Sequence, residues 1–234
     1  MKRSATISLL SVLALSASVL GSPASATSAS RKADVALARK ALIVKSDFPK
    51  GWTTSASGGG PSTNAEESQA VSCLGLPKSV AKYNPPEADS PSFNDNGLGL
   101  TVEDSVDVFP NAKIAAQQYN VYASPRSVGC FQRVFRSAAM KSLLASGVGK
   151  GAVVGNTVMI SLPAPVTTNE SAALEAEIPL TYKGIHIVID TVIVLIMSKS
   201  KTEGAQLTLG NPATSPFPST LTKHLESLTV QRLG

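Results

Sequence analysis

The chain is poor in the residues that most often carry chemistry. Of its 234 residues only 5% are aromatic, two are histidine, two are cysteine and one is tryptophan. The two histidines, His186 and His224, fall in separate segments with no carboxylate or second histidine at a ligand spacing, so no metal site is assigned. A nucleophilic triad needs an imidazole near an activated serine and a carboxylate. Serines are plentiful, yet no G-x-S-x-G elbow occurs. His186 and Asp190 share one face of a strand, but four residues at about 3.3 Å each set them roughly 13 Å apart. His224, beside Lys223 in the last helix, reads as a surface residue. No catalytic residue and no cofactor are therefore assigned. Glycoside hydrolysis, which needs two carboxylates across a cleft, stays open at this level.

Charge is sparse as well. Charged residues make up 16% of the chain, the net charge is +5, and no run of five or six like charges occurs. Arg126, Arg133, Arg136 and Lys141, in or beside one helix, are the nearest approach to a basic patch. They read as a solvated helix face, so nucleic acid is not an expected partner. Gly147-Val148-Gly149-Lys150-Gly151 lacks the spacing and the Ser/Thr of a phosphate loop and reads as a connector. The adjacent acids Glu66-Glu67 and Glu103-Asp104 would point to opposite faces of a strand. Asn169-Glu170-Ser171 matches a glycosylation sequon, which arises often by chance.

Long apolar runs are missing beyond the amino end, and there the pattern is specific. Lys2 and Arg3 precede an uncharged stretch from Ile7 to Leu20, and Ala24-Ser25-Ala26 supplies small residues for a signal peptidase. Residues 1–26 are thus expected to be a signal peptide cleaved before Thr27. The stretch is too short for a spanning helix, which needs roughly 20 apolar residues. No cysteine follows it directly, so lipid anchoring by that route is not expected. Loss of the leader takes the net charge from +5 to +3. In an oxidising compartment, an even cysteine count predicts one disulfide, Cys73–Cys130.

The remaining 27–234 are read as a single extracytoplasmic α+β domain. Apolar residues at helical spacing predict a helix over 32–44, and a Ser/Gly/Pro-rich stretch near 55–64 predicts a flexible loop. Residues 78–96 read as an extended excursion. Alternation predicts a half-buried strand over 98–108, with Leu98, Leu100, Val102, Val106 and Val108 on one side and Asp104 interrupting them. Helices follow over 110–122 and about 127–144. Strands are expected over 154–162, 174–182 and 185–197, with a fourth near 205–209. The run Ile185–Met197, β-branched and containing Asp190, reads as a central strand buried on both faces. Leu221, Leu225 and Leu228 mark a closing helix. Segregated helices and strands of this kind predict an α+β fold: a central antiparallel sheet of about four to six strands flanked by helices.

The segment Asp47-Phe48-Pro49-Lys50-Gly51-Trp52, after an amphipathic helix, resembles a D-x-P-x-G-W opening of exported actinobacterial proteins. Cys73-Leu74-Gly75, Ser90-Pro91-Ser92-Phe93, the Val106–Phe109 strand and Cys130 follow in the same order. The set is similar to the extracellular sensor domains of mycobacterial-type serine/threonine kinases and to PsbP-like lipoproteins. That resemblance implies an antiparallel sheet flanked by helices, a disulfide between helical segments and no known chemistry. This chain carries neither a kinase domain nor a lipobox.

Three functions compete. The first is a secreted cell-envelope, non-enzymatic, sensor-like domain that binds a small apolar ligand or an envelope protein. It would use a pocket lined by Trp52, Tyr119, Val188, Val192 and Val194, which otherwise are simply core. The second is a secreted hydrolase with an unrecognised site. The third is a structural envelope protein, expected to expose an apolar patch without a concavity.

Overall fold

A computed structural model describes residues 28–56, 72–75, 85–165 and 170–234. The leader over 1–26, most of the loop near 55–64, the pair Glu66-Glu67 and Asn169 of the sequon lie outside the described residues.

Nine strands join in one antiparallel sheet: β1 (Thr53–Ser55), β2 (Glu87–Asp89), β3 (Ser92–Asp95), β4 (Leu100–Val108), β5 (Val153–Val154), β6 (Val158–Leu162), β7 (Ser171–Tyr182), β8 (Ile185–Met197) and β9 (Glu203–Pro212). The spatial order is β1-β3-β4-β9-β8-β7-β5, with β2 also on β4 and β6 also on β7. The fold is α+β, with more strands than the sequence predicted. Three of the additional strands, β1, β2 and β3, are held by ladders of three pairs each and come from stretches too brief and too polar to show alternation, and the strand expected over 154–162 is split into β5 and β6. β9 is ten residues long because it lies between β4 and β8, so both of its edges are paired.

Among the described residues, the α-helices α1 (Ser28–Ala41), α2 (Ala112–Tyr122), α3 (Pro125–Phe135), α4 (Ala138–Val148) and α5 (Ser219–Arg232) pack on this sheet. Residues 127–144, expected as one helix, are two. Arg136 ends α3, and the Ser137 hydroxyl caps α4 by accepting the Met140 N–H at 3.2 Å. A serine in that position competes for the backbone and restarts the helix. No helix among the described residues is long and apolar enough to cross a membrane.

The register assigns each strand residue to one of two faces. On the first face stand Phe93, Val102, Val106, Val194, Leu207 and Leu209, which form one core with Ala38 and Ile43 of the amino end and Leu225 of α5. On the second stand Leu174, Ala176, Ile178 and Ile189, packed on Phe131, Val134 and Phe135 of α3 and Met140 of α4. The disulfide Cys73–Cys130 forms, with Cα atoms 5.6 Å apart, and fastens the helical residues 72–74 to α3 on this second side. At the β7–β8 hairpin, Lys183 and Gly184 both take positive φ, 51° and 77°. That pair makes a two-residue turn whose twist matches the strands it joins.

Two burial expectations are corrected. The polar side of β4 is not exposed: Thr101 and Glu103 are buried and Ser105 and Asp107 half-buried, because helices and strand connections cover both faces. β8 is central, yet only its second half is buried on both faces. Ile185 and Val188, near its start, are exposed at 62% and 39%.

Candidate functional site

On the first face, α1 and α5 together cover the middle of the sheet but not its β6–β7 flank. Along that flank a groove of about 430 Å³ opens between α5 and the strands. Its floor is Ala173 and Glu175 of β7, Asp190, Val192 and Val194 of β8, and Leu209 of β9. One wall is the stripe Ser219, Thr222, Lys223 and Glu226 of α5, spaced so that all four share a helix side. Leu221 and Leu225 face the core from the adjoining side of the same helix. Leu162, Pro163 and Pro165 form the second wall, and Pro216 with Phe217 closes one end. Beyond the groove the sheet stays bare, with Val158 and Ile160 exposed at 43% and 46%.

The groove is apolar with an acidic seam. Glu177 and Asp190 are direct cross-strand partners, and Glu175 lies one step along on the same face. Like charges opposite one another repel. Burial raises the Asp190 carboxyl above its ordinary value, the Glu177 charge raises it further, and a hydrogen bond from Asn211 partly opposes both. Burial also raises Glu175, helped by the charges of Asp190 and Glu177. Burial raises Glu226 too, against the pull of Lys223.

A second, smaller cavity of about 50 Å³ lies under α2 on the opposite face, between Asp107 and Ser105 of β4 and Gln118, Tyr119 and Tyr122. That volume holds water rather than a ligand. Burial, then the charges of Glu87 and Asp89, push the Asp107 carboxyl well above its ordinary value. Tyr119 rises to about 12, mainly by burial and secondarily through Glu170.

The five residues expected to line one pocket do not converge. Val192 and Val194 line the groove, and Tyr119 lines the small cavity on the opposite face. Val188 is on the bare part of the sheet. Trp52 is core: its ring lies 4.7 Å from that of Phe48, which stacks on Phe93 at 4.5 Å. It still reaches the groove indirectly, with its ring 6.4 Å from Phe217. The residues missing from that expectation are Glu175, Asp190, Phe217 and Glu226. For the three acids the sequence signal is polarity inside apolar stripes, as at Asp190 within Ile185–Met197 and Glu226 beside Leu225; Phe217 gives none.

The remaining sequence candidates have local partners. His186 Nδ1 is 2.9 Å from the Thr181 hydroxyl on the exposed end of the β7–β8 hairpin. His224 is exposed on α5. Arg136 Nε donates to the Thr157 carbonyl at 2.7 Å and Lys141 Nζ to Asn156 Oδ1 at 2.8 Å, so both pin the approach to β6. Among the described residues no group of three His, Cys, Asp or Glu side chains is placed to hold a metal ion. Neither a family model, nor a curated protein, nor a solved structure matches this chain.

Proposed function

We propose that this chain acts outside the cytoplasm as a non-enzymatic, sensor-like domain that takes a small ligand in the α5 groove. The observation that carries the reading is the groove itself. At about 430 Å³ it falls within the range of small-molecule sites, roughly 300–1,000 Å³, and it is concave, mainly apolar and supplied with a few polar groups. The resemblance of the sequence to sensor domains and the leader over 1–26 support the compartment and the class. Native mass spectrometry of the chain purified from its own host tests the reading. A bound small molecule is expected, and Val192→Trp, which fills the floor, should release it. A clean mass for the unmodified chain would overturn the proposal. Amino-terminal sequencing of the exported chain should begin at Thr27.

The acidic seam favours one second reading. Glu226 on α5 faces the floor that carries Asp190 and Glu175, and carboxyls on two sides of a cleft are what glycoside hydrolysis requires. Turnover of chromogenic glycosides that disappears in both Glu226→Gln and Asp190→Asn would establish a hydrolase instead.

A further inference from the structure

We infer that the ligand of the α5 groove is a cationic amphiphile, an apolar body carrying a protonated amine that Glu226, Asp190 and Glu175 receive. This rests on the groove being a ligand site.

Glu226 is the reason to look for a cation. It is 7% exposed, it lines the groove, and within the described residues it makes no hydrogen bond. A carboxylate so placed is partly stripped of water, and no donor from the chain replaces what it has lost. Asp47, over the same sheet face, shows the contrast. Asp47, nearly as buried, receives two N–H groups of Arg232 at 2.7 and 2.8 Å and the Val44 amide at 2.6 Å. Glu226 has only the charge of Lys223, three residues earlier, whose own side chain is exposed.

The two floor acids reinforce the argument. Asp190 and Glu175 come from adjacent strands onto one face, beside Glu177, and among the described lining residues Lys223 is the one cation against three carboxylates. The acids are not clustered tightly enough for a metal ion. An ammonium group suits them better, since it offers three donors and needs no closed shell of ligands around it. The apolar remainder of the ligand would lie along Val192, Val194, Leu162 and Phe217, and its far end would reach the bare strip at Ile160.

Three probes with the same tail decide the matter: n-octylammonium, n-octanol and octanoate, each below its micelle-forming concentration. Binding is read by calorimetry and by the emission of Trp52, the single tryptophan, which adjoins Phe217. Octylammonium should bind about tenfold or more tighter than octanol, and octanoate weakest. Its binding should release protons at mildly acidic pH, measured in two buffers of different ionisation enthalpy. Glu226→Gln should weaken octylammonium about tenfold and leave octanol unchanged. Asp190→Asn, on a strand, should weaken it in the same direction and decides the question if the helix variant does not fold. Octanol binding as tightly as octylammonium, or octylammonium indifferent to both substitutions, would overturn the cation while leaving the groove as a site. Failure of all three probes would overturn both.

Discussion

Asp104 and Glu226 stand over the same face of the same sheet, Asp104 beneath the amino-terminal segment and Glu226 at the groove, and their surroundings treat them differently. Asp104 is buried under the end of α1, where its Oδ2 accepts the Ile43 N–H at 2.9 Å and the Arg232 guanidinium lies near enough to act on it. Arg232 itself ties the last turn of α5 to Asp47 and to the Leu42 carbonyl, so the amino and carboxyl ends of the fold share one polar anchor. On the groove side the acids meet no such anchor. The covered side spends its charges on holding helices in place, and the open side leaves its carboxylates facing a space. Asp47 is met by donors from the chain, and Glu226 is not.

The largest expected effect breaks the covered side. Burial raises the Asp104 carboxyl to about 7, although the Ile43 amide and the Arg232 charge both pull it down. Its other oxygen, Oδ1, is buried without a hydrogen bond. Below pH 3.8, the ordinary value, the group is protonated in both states and contributes no difference. Between about pH 4 and 7 the unfolded chain ionises alone and stability falls. Above 7 the full penalty applies, about 4 kcal/mol. Asp104→Asn keeps an acceptor for Ile43 and should remove that slope, so urea titrations from pH 4.5 to 8 should diverge progressively from the unmodified chain. Asp47 has the opposite sign. Burial alone would raise it, but the Arg232 and Val44 hydrogen bonds and the Arg232 charge hold it below 3.8, so its contribution is lost only as pH falls below that value.

Next in size are the contacts that seat α5. Leu225 is wholly buried between α5 and the sheet, and Leu225→Ala should cost about 3 kcal/mol in a denaturant melt. Arg232→Ala should cost about 2 kcal/mol, because the pair it breaks is partly exposed, at 24% for Arg232 and 9% for Asp47. Both variants remove support from α5, so both should also weaken octylammonium binding. Glu226→Gln should weaken binding with little loss of stability, and that difference separates an anchor from a site.

How far these features were legible in the sequence follows from how local they are. β7 and β8 announce themselves by alternation and length, and the disulfide by cysteine count in a chain read as exported. The strands at 87–89 and 92–95 do not, because Pro, Asp, Asn and Ser dominate there and the segments gain order from pairing with β4. Alternation in β4 is legible but misleading, since it implies one exposed face in a strand that is covered on both. The groove was the least legible feature. Val192 and Val194 lie on a recognisable strand, whereas Pro163, Phe217 and Glu226 reach them across 23 to 34 residues of sequence. Nothing in local periodicity encodes that convergence.

The smallest effect on stability is the most informative about the open side. Asp190 faces Glu177 across the β7–β8 pair, and opposed like charges oppose folding. Asp190→Asn should therefore stabilise the protein slightly, by about 0.5 kcal/mol at pH 7.5. The gain should fade as pH falls, because burial and the Glu177 charge raise the Asp190 carboxyl and it protonates early. The same substitution should weaken octylammonium binding. A residue whose removal stabilises the fold and impairs binding is held for what it binds, since packing gives no reason to keep it. Were Asp190→Asn instead to destabilise, the Asn211 hydrogen bond would outweigh the repulsion, and Asp190 would belong with Asp47 among the braces.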